Sequence, residues 1–163
     1  MNTPLRLENY FFPHISVTAD PEYVGSETDE VTFPLVQSEL QETDKPNNFQ
    51  LAINIFVEPK NEEKPIPYII HLVAIGMFSV ADDWPDKEKL LKINGASIIY
   101  AAAREFLITI TSRGPWPCYT LPTYSFLLDY ADRKAVTNDS KKESISKPKK
   151  VRAKKTSSVS KDG

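Results

Sequence analysis

Five apolar residues at every second position set the strongest constraint on this chain. Phe49, Leu51, Ile53, Ile55 and Val57 alternate with Gln50, Ala52, Asn54, Phe56 and Glu58. A period of two is the signature of a strand with one face in a core. Such a strand cannot stand alone. It needs neighbours for its backbone hydrogen bonds and a cover for its apolar face. The rest of the chain must supply both.

The neighbours are legible on either side. Leu5–Ala19 mixes Leu, Tyr, Phe, Ile, Val and Thr, and reads as a first strand. Its internal Pro13 suits an edge or a bulge. Asp20–Glu30 is a polar loop, and Val31–Leu40, with Pro34 inside it, reads as a second strand. Asn61–Pro67 reads as a turn, and Tyr68–Val80 as a fourth strand. This last strand is apolar on both faces, which calls for cover on both sides and hints at self-association.

The cover comes from the second half. Asp86 and Glu88 suit a helix N-terminus, Leu90–Ser112 has helical residues, and Gly114-Pro115 stops the run. Ile99, Ala102, Phe106 and Ile110 fall on one helical stripe. Gly95, Ala96 and Ala101–Ala103 are small enough to let another element approach closely. Ser125–Lys134 reads as a short second helix after Pro122. The fold class expected is α+β: a four-stranded antiparallel sheet with a long and a short C-terminal helix on one face.

Charge divides the chain further. Residues 1–136 hold 11 Lys and Arg against 19 Asp and Glu, a net of −8. Residues 137–163 hold 9 against 3, a net of +6. The second stretch lacks aromatics and carries only isolated apolar residues. It cannot bury enough surface to offset the entropy of ordering, so a disordered Lys-rich tail is expected after a domain at 1–136.

The inventory of reactive groups is thin. There is one cysteine, Cys118, and two histidines, His14 and His71. That excludes a disulfide framework within the chain and a multi-Cys zinc site. No Gly-rich phosphate loop, GxSxG elbow, HExxH pair or CxxC occurs. No cofactor, catalytic residue or metal site is assigned. Cys118 reads as a small apolar residue, and Asp82-Asp83 and Glu62-Glu63 as solvated loop charge. No apolar run approaches the ~20 residues of a membrane span. The N-terminus lacks a signal-peptide pattern, so a soluble cytoplasmic protein is expected.

The stretch Gly76–Phe126 carries a more specific pattern. Gly76, Phe78 and Ser79 end the fourth strand; Ala103, Arg104 and Glu105 lie in the helix; Ser112, Arg113, Gly114, Trp116 and Pro117 follow it; Leu121, Pro122 and Phe126 complete the set. This pattern resembles the SecB family of bacterial protein-export chaperones. The order of four strands, long helix, loop and short helix is similar over Leu5–Ala131. The resemblance implies an ATP-independent holdase, not an enzyme, assembled as a dimer of dimers.

It also implies site residues. Grooves for unfolded client polypeptides would run between the loops Asp20–Glu30 and Gly114–Ser125. Their walls would come from Tyr23, Val24, Phe78, Trp116, Tyr119, Leu121, Tyr124 and Phe126. Contacts between subunits would involve Ile70, Leu72, Ala74, Ile99, Ala102 and Phe106. Export members dock the SecA motor through acids that align with His14, Thr18 and His71. None of the three is acidic here, which removes the long-range attraction. Members without SecA docking include chaperones dedicated to antitoxins. The two histidines fall on this one patch, close enough across neighbouring strands to be a pH-sensitive contact, a metal pair, or two outward-facing polar residues. The Lys141–Lys155 tail could meet nucleic acid or an anionic surface without sequence preference, or only aid solubility.

Overall fold

A computed structural model describes residues 3–25, 33–60, 65–132 and 134. The chain divides into two units, Met1–Tyr130 and Ala131–Gly163. The tail expected at 137–163 lies outside the described residues. The first unit holds strands β1 (Leu5–Ala19), β2 (Leu35–Glu42), β3 (Asn48–Val57) and β4 (Tyr68–Val80) in one sheet of order β1-β4-β3-β2. All pairings are antiparallel. The expected fold class is the observed one.

The alternating pattern decides the layers. Phe49, Leu51, Ile53, Ile55 and Val57 are all buried. Register places Phe78, Gly76, Ala74, Leu72 and Ile70 of β4 opposite them. Those β4 residues form the other half of the helix-facing surface. The alternate β4 set, Ile69, His71, Val73, Ile75 and Met77, faces away from the helices and stays at least partly exposed.

Proline sets two boundaries. The second strand starts at Leu35, later than expected, because Pro34 has no N–H to give to a ladder. Phe33 therefore sits before the strand, 68% exposed. In β1 the register shifts between Phe11 and His14, so Phe12 and Pro13 together oppose Ala74. This is the bulge that Pro13 suits.

The helical cover runs from Lys87 to Thr111 in three parts. Asp86 caps α1 (Lys87–Leu90), its carboxylate accepting the Lys89 N–H at 3.0 Å. A π-helical turn at Leu91–Gly95 follows, then α2 (Ala96–Thr111). The wider turn lets Leu90, Leu91, Gly95 and Ala96 all be buried. Nothing in local propensity announces it. At Gly76 a Cβ would stand 2.5 Å from Ile99 Cδ1, so the helix rests directly on a bare stretch of strand. At the π turn the contact is looser: a Cβ on Gly95 would meet Leu51 at 3.4 Å, an ordinary van der Waals distance.

The buried stripe of α2 is Ala96, Ile99, Tyr100, Ala103, Leu107 and Thr111. Of the expected stripe only Ile99 lies at its centre. Ala102, Phe106 and Ile110 flank it, and Phe106 stacks on Phe12 of the bulge with ring centroids 4.3 Å apart. The helical run Lys87–Thr111 spans 25 residues with a mean hydropathy of 1.2 in its most apolar stretch. By length and composition alone it could cross a membrane, a test that the core helix of a globular domain also passes. Its apolar stripe is turned to the sheet, as in a core helix. A short helix begins at Phe126, which is buried and packs against Tyr100 at 5.6 Å.

Candidate functional site

One end of the sheet gathers the groups expected to form a groove. Ala19 ends β1 there, Tyr68 begins β4, and the two are register partners. Tyr68 holds the loop after α2 in place. Its hydroxyl faces the Trp116 carbonyl at 2.9 Å and the Thr111 carbonyl at 3.2 Å, and accepts the Trp116 N–H at 3.2 Å. Thus anchored, Trp116 reaches the other loop. Its indole N–H donates to the Asp20 carbonyl at 2.9 Å, and its ring meets Tyr23 edge-on at 5.2 Å. The two loops touch through Trp116.

That contact changes the role of several expected wall residues. Tyr23, Phe78, Leu121 and Phe126 are 6%, 1%, 0% and 3% exposed. They are parts of the core and have no surface to offer a ligand. Tyr23 is buried because Trp116 lies on it. Leu121 and Phe126 are buried where the chain after α2 folds back over the core. Val24 is 83% exposed, while Trp116, Tyr119 and Tyr124 are half-buried. Phe33 and Leu35, exposed by the late start of β2, were not among the expected wall residues. Pro34 was the available signal, since a strand starting after it frees Phe33.

A second aromatic group lies along α2. Tyr100, Tyr124 and Phe126 are in mutual ring contact at 4.7–5.8 Å. The Tyr100 hydroxyl donates to the Pro122 carbonyl at 2.8 Å. Burial, only partly countered by the Arg104 charge, pushes the Tyr100 pKa up to about 12. Burial, with Tyr100 nearby, also pushes Tyr119 up to about 12. The Tyr119 hydroxyl and Arg104 Nε are buried with no hydrogen-bond partner among the described residues. Cys118 is exposed, and its thiol lies 3.4 Å from the Ile108 carbonyl.

The expected subunit contacts also need correction. Ile70, Leu72, Ala74 and Ile99 are each no more than 1% exposed, inside the chain's own core. A strand apolar on both faces leaves open which alternate set turns outward. The helix took this one, leaving Ile69, Val73 and Ile75 on the outer face. Ala102 and Phe106 remain half-exposed on the helix flank.

The outer face holds the third group. His14, Thr18 and His71 all lie there: His14 pairs with Val73, Thr18 with Ile69 and Ser16 with His71. The two imidazole rings are 4.4 Å apart, the proximity expected across neighbouring strands. His71 also stacks on Phe56 at 4.3 Å.

No protein-family model matches the chain, and no curated protein sequence does. Solved structures do. A SecB-like chaperone of Mycobacterium tuberculosis, in complex with a ChAD peptide from an antitoxin, aligns over 75% of this chain and 91% of its own, with a TM-score of 0.50 and 15% identity. A protein of unknown function from Streptococcus agalactiae aligns over 73% of this chain and 97% of its own, with a TM-score of 0.51 and 12% identity. With the sheet order, the long helix and the short helix on the page, this chain has a SecB-like fold.

Proposed function

We propose that this protein is an ATP-independent holdase that binds non-native polypeptides. The observation that carries the reading is that large apolar side chains stay exposed in segments at the end of the sheet where Trp116 ties the two loops. Val24, Phe33 and Leu35 are 83%, 68% and 59% exposed. Half-buried Trp116, Tyr119 and Tyr124 extend the apolar supply along the neighbouring loop. Unfolded chains expose apolar segments, and covering them gains roughly 25 cal/mol per Å². Aromatic and aliphatic walls without a fixed polar pattern accept many sequences. The net charge of −8 on residues 1–136 keeps such surfaces apart in solution. Holding a chain in this way requires no bond chemistry and no cofactor.

Finer features follow as part of the same proposal. The client is a polypeptide held in extended form, and an antitoxin is one candidate. The M. tuberculosis relative in complex with an antitoxin peptide supports that choice. A dimer of dimers in the cytoplasm would use the helix flank at Ala102 and Phe106. SecA docking is not part of the proposal, because His14, Thr18 and His71 offer no acidic patch. The Lys141–Lys155 segment lies outside the described residues; its charge would add salt-sensitive contact to anionic surfaces.

The test is light scattering of a chemically unfolded protein diluted into buffer without nucleotide. Stoichiometric amounts of this chain should suppress aggregation. Full aggregation at a fourfold excess, on the order of one tetramer per client, would end the proposal.

A further inference from the structure

We propose that His14 and His71 form a two-histidine chelate for a late first-row divalent cation, Cu²⁺ or Zn²⁺, on the outer face of the sheet. They are the only two histidines of the chain. They come from β1 and β4, far apart in sequence, and the fold brings their ring centroids to 4.4 Å.

The bulge in β1 makes the pair. Phe11 opposes Ile75 on the outer face. In a regular strand His14 would then point to the helix side. The extra residue at Phe12-Pro13 resets the parity, so His14 opposes Val73 and faces outward with His71. Phe12, next to Phe11, already faces the helix side and stacks on Phe106. The irregularity leaves Phe12 in place and sets His14 beside the chain's other histidine.

The geometry suits one ion. With metal–nitrogen bonds of about 2.1 Å, two imidazoles on one ion hold their ring centres roughly 4.6 Å apart at a right angle and roughly 5.3 Å apart at the tetrahedral angle. The observed separation of 4.4 Å lies close to the lower of these values, with the ring planes inclined at 50°. The His71 ring is already oriented by its stack on Phe56, at an interplanar angle of 23°. Paired strands form a stiff platform, so little ordering is lost on binding. His14 is exposed, giving an ion access from solvent. Imidazole nitrogens favour Cu²⁺ and Zn²⁺ over Mg²⁺ or Ca²⁺. The surrounding acidic domain raises the local concentration of cations.

Among the described residues no group of three or more His, Cys, Asp and Glu side chains could enclose a metal. The ion would therefore keep open positions, filled by water or by donors from a second molecule. This separates the site from a closed structural zinc centre.

The test uses the full-length chain with no added histidine tag. Cu²⁺, Zn²⁺ and Mg²⁺ are titrated against a competing chromophoric chelator. One Cu²⁺ or Zn²⁺ per chain should bind, and Mg²⁺ should not. His14→Gln and His71→Gln should each weaken binding about tenfold or more, since each leaves a single imidazole. Circular dichroism should show both variants folded. Electron paramagnetic resonance of the Cu²⁺ form should show two nitrogen ligands, and one in either variant. Equal affinity in the parent and both variants, or coordination by oxygen alone, would overturn the assignment.

Discussion

Replacing Tyr68 by Phe removes one oxygen atom and tests how the groove is built. Tyr68 is 2% exposed, so its ring stays where it is and no large cavity opens. What disappears is the hydroxyl that accepts the Trp116 N–H and faces the carbonyls of Trp116 and Thr111. A hydroxyl donates only one hydrogen, so two hydrogen bonds are lost at a time. At about 1 kcal/mol for each, the loss is at least about 2 kcal/mol, and stranded part-buried backbone groups add to it. With an m-value of about 1.5 kcal/mol/M, the urea midpoint should fall by roughly 1 M. Trp116 should also report it. The loop that presses the indole on Tyr23 loses its tether, so emission should shift to the red in a Trp84→Phe background. The control is Tyr119→Phe. That hydroxyl is buried with no partner among the described residues, so its removal should leave stability unchanged or higher. Equal losses for Tyr68→Phe and Tyr119→Phe would refute the reasoning, because hydroxyl partners would then not decide the outcome.

Gly76→Ala should cost about 1–3 kcal/mol in thermal or urea unfolding, since its Cβ would meet Ile99 Cδ1 at 2.5 Å; Gly25→Ala, whose nearest neighbours are at 3.9 Å, serves as the comparison and should cost much less. Stability should fall as pH rises from 10 towards 12. Tyr100 and Tyr119 have folded pKa values raised from 10.0 to about 12, so the unfolded chain releases its protons first and gains relative to the fold. A double Tyr100→Phe, Tyr119→Phe variant should show a shallower decline across that window, and an identical slope would contradict the burial argument. Phe33→Ser should reduce aggregation suppression severalfold while leaving the melting curve within about 0.5 kcal/mol, because Phe33 is 68% exposed. Full retained activity would place the client surface elsewhere. Deleting Lys141–Gly163 should leave aggregation suppression intact and remove any salt-sensitive binding to duplex DNA; retention of that binding would assign it to the acidic domain.

The sheet and its covering helix were legible because their signals are periodic. The alternation at Phe49–Val57 fixed a face, and the only surface able to cover it was the helical run after Asp86. Asp86 itself declared the helix start through a local carboxylate cap. Pro13 marked the bulge because a residue without an N–H suits a break in the ladder. The candidate site was less legible. Tyr23, Phe78, Leu121 and Phe126 have the right chemistry for a groove, but aromatic and aliphatic side chains serve a core equally well. Only packing distinguishes the two uses.

Composition and patterning by themselves determined the class of fold, the acidic and basic halves, and the scarcity of reactive groups. These depend on residue type and short-range spacing, which the chain carries wherever it goes. Tertiary structure decided which face of β4 turned inward, because both faces are apolar and only the resting place of α2 on Gly76 breaks the tie. It decided that Trp116 joins two loops that lie far apart in sequence. It also decided how the two histidines, expected on one patch, come to face the same way: a one-residue bulge inverts side-chain parity before His14.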